Sequence, residues 1–196
     1  IYYIKRINLN MNGVNNLIKE LYRGEEWIGG LFPKGVSSKT KKCVSNYKYP
    51  TILILISIID TNKLIELKEK CRKIFNLEKH SLHMTDYQKD TYRVGCSLLN
   101  KNSIHFLNYG TNDISDDSKN LLIKYYSLIK HNSEDYCITS SLIMEMYGLR
   151  KANDLDYLNF NNMEINDDKI NIHKDKWLKF YHKNKDDIIY NPNYHF

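Results

Sequence analysis

The segment Asn153-Asp154-Leu155-Asp156-Tyr157-Leu158 alternates acidic and apolar side chains. A period of two belongs to extended backbone, so the spacing predicts a strand over 154–160 with both carboxylates on one face and Leu155 and Tyr157 on the other. Ser115 opens a strong helical pattern, with Leu121, Leu122, Tyr125, Leu128 and Ile129 on one side. A strand over 135–139 and a short helix over 142–149 are expected before the acidic strand.

The rest of the chain keeps the same rhythm. Helical spacing is expected over 14–22, 63–76 and 86–99, with Asp60 and Asn62 placed to cap the second of these. Thr51 to Ile59 is a β-branched run of strand length, expected to be buried on both faces. Ser103 to Leu107 reads as a short strand, 161–172 as a polar loop, 173–183 as a helix and 186–190 as a strand. The glycines and proline after Gly24 predict a loop, and the lysine-rich, acid-free stretch Lys34 to Lys48 a solvated one. The expected fold class is α/β, a mixed sheet flanked by helices, with α+β as the alternative. A boundary near Asn108 to Ser115 divides a 1–112 α/β region, carrying the basic loop, from a 113–196 region.

Composition narrows the setting. A net charge of +6 over 196 residues fits a polyanionic partner, a nucleotide or more weakly nucleic acid. The longest apolar run, Ile52 to Ile59, is too short to span a bilayer, so no membrane role is expected. Cys43, Cys71, Cys96 and Cys137 form no C-x-x-C pair and read as reduced, buried thiols of a cytoplasmic protein. The chain starts without Met and stops within a strand-like run, as a fragment of a longer polypeptide would.

Two carboxylates on one strand face repel unless a cation lies between them, and Mg²⁺ prefers such oxygen ligands. Thr139-Ser140-Ser141 precedes a helix start, where backbone N–H groups can hold phosphate. Asp154 and Asp156 are thus candidate metal ligands. Ser140, Ser141, Arg150 and Lys151 are candidate phosphate contacts.

The order of strand, small hydroxyl pair, short helix and acidic-hydrophobic-acidic strand resembles the nucleotidyltransferase superfamily that includes DNA polymerase beta. The resemblance covers residues 120–160. It implies transfer of a nucleoside monophosphate from a nucleoside triphosphate to an acceptor, with Mg²⁺ (or Mn²⁺) as cofactor, and a nucleotidyltransferase-like 113–196 region. The family's glycine is a serine or threonine here. Its third carboxylate, from a later strand, is best matched by Asp187, with Glu164 as the weaker choice, making Asp154, Asp156 and Asp187 the implied catalytic set.

Alternatives stand beside this reading. A glycosyltransferase, or an accessory domain of one, would use the same D-x-D to hold Mn²⁺ and a nucleotide-sugar. A non-catalytic binding module would use the basic charge alone. Asp156 could simply pair with Arg150 or Lys151, while Asp154 caps a turn and Ser141 caps the helix. His80, His83 and Asp86 are a secondary candidate for metal or acid/base chemistry. His105 is expected in the core, and His173, His182 and His195 in solvent. Tyr125, Tyr126, Tyr147 and Tyr157 are expected in core or half-buried positions, and Trp27 and Trp177 as packing anchors. Tyr47-Lys48-Tyr49 is the one compact hint of a nucleic-acid platform.

Overall fold

A computed structural model describes residues 1–29, 36–44, 51–57, 60–76, 78–111, 113–129, 135–159 and 164–173. Asp187, Trp177, His182, His195, Tyr47-Lys48-Tyr49 and the 186–190 strand lie outside them, as does the expected 173–183 helix beyond His173. The fold is α/β, with helices flanking a small mixed sheet. Two compact units divide the chain, Ile1–Asn108 and Tyr109–Phe196.

In the first unit, β1 (Tyr3–Ile7) pairs antiparallel with β2 (Thr51–Leu55), Tyr3 opposite Leu55. β2 is shorter than the apolar run suggested. Helix α1 (Met11–Leu21) starts at Asn10, whose side chain accepts from the Gly13 amide at 2.7 Å. The lysine-rich stretch is not wholly a loop: Ser37–Val44 forms α2. Its sequence has no acid and few breakers, so nothing local forbids a helix once Val36 is buried beside it.

Asp60 caps α3 (Thr61–Phe75), as its position suggested, accepting from the Asn62 amide at 2.9 Å. α4 (Gln88–Leu99) follows, then α5 (Lys101–Tyr109). The expected strand over 103–107 is therefore helical. Asn100 accepts from the Asn102 amide at 2.8 Å and opens the new helix, and local capping wins over the short apolar run. His105 consequently lies exposed on α5 rather than in a core. Gly13 admits α5's end: a Cβ there would overlap the Asn108 side chain, which accepts from the Asn10 amide at 2.8 Å. Ile7, Leu17, Val94, Leu98 and Leu107 form this unit's main core.

In the second unit, α6 (Asp116–Ile129) leads to a three-stranded sheet ordered β3-β4-β5. β3 (Tyr136–Thr139) runs antiparallel to β4 (Leu155–Asn159), and β5 (Ile170–Ile172) runs parallel to β4 on its other side. β5 lies inside the region expected to be a polar loop. Three residues with apolar ends suffice because Leu155 and Tyr157 already supply a paired, buried neighbour.

The short helix α7 (Ser141–Met146) ends before Leu149. Gly148 adopts φ +70°, its amide bonds Glu145 O at 2.8 Å, and the Leu149 amide bonds Met144 O at 2.9 Å. This pair of bonds around a left-handed glycine stops the helix and turns the chain toward β4. Tyr125, Ile129, Leu142, Ala152, Leu155, Tyr157 and Ile170 make the core. The tyrosine rings of 125, 136 and 157 pack edge-on or tilted within it, with centroids 5.7–6.3 Å apart. Tyr126, by contrast, is exposed. Among the described residues, no helix is long and apolar enough to cross a membrane.

Candidate functional site

Cross-strand register builds the site. Thr139 lies opposite Asp156, so the turn that follows β3 faces the acidic start of β4. Leu155 and Tyr157 are fully buried in the helix-covered core, which sends the alternate residues to the other face. Asp154 and Asp156 are both half-buried there. Ser141 Oγ donates to Asp154 Oδ1 at 3.1 Å, and the Ser140 hydroxyl lies near enough to Asp156 to favour its ionised form.

The two acids are close enough to feel one another. Burial and the charge of Asp154 raise the Asp156 carboxyl above its ordinary range. The nearby Ser140 hydroxyl, the His173 ring and the Arg150 guanidinium oppose that rise. Among the described residues, neither acid forms an ion pair. Lys151 lies 3.6 Å from Asp117 instead. The surface pairing of Asp156 with Lys151 is thus not formed, and Arg150 acts on it only at longer range.

Ser140 carries the strain. Its φ of 60° and ψ of −129° are open to glycine and disfavoured for a side-chain-bearing residue. A serine stands here where the backbone geometry asks for glycine. Its Oγ is 3.4 Å from His173 Nδ1. His173 is half-buried at the end of β5, and its amide donates to Tyr157 O at 2.7 Å. The expectation of a solvent-exposed His173 is corrected. The alternation in Ile170-Asn171-Ile172 was the signal that could have placed it beside β4.

A second residue, absent from the sequence reading, holds the turn. Glu145 is 6% exposed. Its Oε1 accepts from the Ser115 amide at 2.7 Å, and its Oε2 from Ser118 Oγ at 2.7 Å and the Ala152 amide at 2.6 Å. One carboxylate therefore joins the start of α6, the last turn of α7 and the approach to β4. Burial pushes its pKa up, but these hydrogen bonds outweigh it and bring the group from 4.5 down to about 2.

The secondary candidate is divided. His83 packs edge-on against Tyr22, with ring centroids 5.3 Å apart, and Asp86 is 3.5 Å from Lys68. His80 ends a single 3₁₀ turn, Glu78–His80. Among the described residues, no group of three or more His, Cys, Asp or Glu is placed to hold a metal ion, here or at the acid pair. Asp187 lies outside those residues, and Glu164 is exposed. The four cysteines are free. Cys96 is exposed and the others are half-buried, so the thiols are less covered than expected. No family model, curated protein or solved structure matches the chain.

Two stability outcomes follow. Ser140→Gly should raise the urea midpoint by relieving strain of about 1–3 kcal/mol, partly offset by the lost hydroxyl contacts, whereas Ser140→Ala should not. Glu145→Gln should lower stability at pH 7 by about 3 kcal/mol, because a neutral amide cannot accept from all three donors. Since the folded pKa is depressed, the wild-type advantage is complete above about pH 5 and fades as pH falls toward 2. Urea unfolding at stepped pH would reveal the two curves converging.

Proposed function

We propose that the second unit is a nucleotidyltransferase-type site that transfers a nucleoside monophosphate from a nucleoside triphosphate to an acceptor. The observation that carries this reading is the like-charged pair Asp154 and Asp156 on one strand face, against a hydroxyl-bearing turn with a glycine-type backbone. The pair fits a divalent cation, because two carboxylates raise one another's proton affinity and a hard cation relieves that repulsion.

Asp154 and Asp156 would hold Mg²⁺, which when bound neutralises phosphate oxygens and orients the leaving group. Asp187 remains the proposed third carboxylate. Ser141 would exchange its bond to Asp154 for a phosphate oxygen, Ser140 would donate to another, and Arg150 and Lys151, on the approach to β4, would balance charge that develops in transfer. With Mn²⁺, the same acids would serve a nucleotide-sugar in the glycosyltransferase reading. No observation favours that alternative over the first.

A second reading is favoured by the contact of Ser140 with His173. A serine on a strained strand-to-helix turn, with an imidazole nitrogen within reach, is the arrangement of an acyl-transfer nucleophile. Ser140 Oγ would attack an ester carbonyl, His173 would take its proton and pass it to the leaving alcohol, and water would release the acyl group.

Thermal unfolding with Mg²⁺ and each of the four nucleoside triphosphates separates the two readings. The first predicts a metal-dependent rise in midpoint, absent in Asp154→Asn and Asp156→Asn. The second predicts metal-independent labelling of Ser140 by a fluorophosphonate, abolished in Ser140→Ala. A protein that shows no shift with any nucleotide, metal present, is not a nucleotidyltransferase.

A further inference from the structure

The first unit contains a basic, aromatic-walled cavity of about 340 Å³, open to solvent and unrelated in sequence to the acid pair. Tyr22 and Trp27 form one wall, with ring centroids 5.2 Å apart in an edge-to-face arrangement. Trp27 is 57% exposed, so it lines an opening rather than anchoring a core as expected. Lys39 of α2 lies over both rings, 4.5 Å from the Tyr22 centroid and 5.9 Å from that of Trp27. Lys68 and Arg72 enter from one face of α3, and Lys79 from the following 3₁₀ turn.

The charge is unbalanced. Those four cations face a single lining carboxylate, Asp86, whose 3.5 Å pairing with Lys68 is largely solvent-exposed on the acid's side. Lys68 and Arg72 are i and i+4 neighbours, a like-charge placement that costs a helix stability. Both side chains are nonetheless about four-fifths covered, at 19% and 21% exposure. Arg72 uses one terminal nitrogen on Glu69 at 2.8 Å, while its buried Nε has no hydrogen-bond partner among the described residues. A guanidinium beside three lysines in one opening favours an anion with several charges.

We propose that this cavity binds a polyphosphate group, with Lys68, Arg72 and Lys79 on the phosphates and the Tyr22–Trp27 wall offering a face for a base where the group is carried by a nucleotide. The volume lies within the range of small-ligand sites. Lys39 already lies over both rings, so stacking of a base adds to the binding without being required for it.

Calorimetric titration of the full chain with inorganic tripolyphosphate and with ATP, both in EDTA, tests this. Excluding divalent cations silences the proposed acid-pair site, so the two proposals fail separately. Both ligands should bind, Lys68→Gln with Arg72→Gln should weaken each by about tenfold or more, and Asp154→Asn should change neither. Trp27→Ala should weaken ATP but spare tripolyphosphate if the source is a nucleotide, and should weaken neither if it is free polyphosphate. Either pattern supports the cavity. No heat from either ligand, or affinity unchanged in the double variant with its helicity intact, overturns it.

Discussion

The second unit depends on one buried carboxylate. Glu145 satisfies the Ser115 amide and the Ser118 hydroxyl at the start of α6 and the Ala152 amide before β4, two segments that its own helix α7 would otherwise leave separate. A carboxylate without partners at that depth would be strongly disfavoured, so the three segments are held in one arrangement or not at all. That constraint fixes the end of α7 against the start of α6 and the chain's approach to β4. Those two points in turn set Ser140 and Ser141 against Asp154 and Asp156.

Ser140 is the visible cost of that arrangement. Positive φ in a residue with a Cβ persists only where its surroundings over-determine it, and here the β3 pairing on one side and α7 on the other do so. The same strain is compatible with both proposed chemistries. A glycine-type backbone would let phosphate approach backbone N–H groups, and it also sets the Ser140 hydroxyl beside His173. The acid pair argues for the first use and the contact with His173 for the second.

Sequence periodicity carried much of the fold. The face-sorting of Asp154, Leu155, Asp156 and Tyr157 was legible because a strand period of two leaves no other way to bury Leu155 and Tyr157. α1, α3, α4 and α6 were legible from their spacing, and the α3 cap from Asp60. The failures have physical causes. Ser103 to Leu107 looked like a strand because five residues cannot distinguish two periods, and Asn100 decided the matter through a local cap. β5 was hidden because a three-residue strand is specified by its neighbour rather than by itself. Glu145 was invisible as a clamp, since a lone acid within a short helix carries no mark of the three donors brought to it from residues 7 to 30 positions away. His173 was missed with β5, and with it the only imidazole contact of the turn among the described residues.

Paramagnetic line broadening by sub-stoichiometric Mn²⁺, read on the backbone amides, addresses the central claim most directly. The account predicts that the amides of Ser140, Ser141, Leu155 and Asp156 broaden first, and that excess Mg²⁺ restores them. Broadening that begins elsewhere, or spreads evenly over the surface acids, would contradict a cation site built on Asp154 and Asp156.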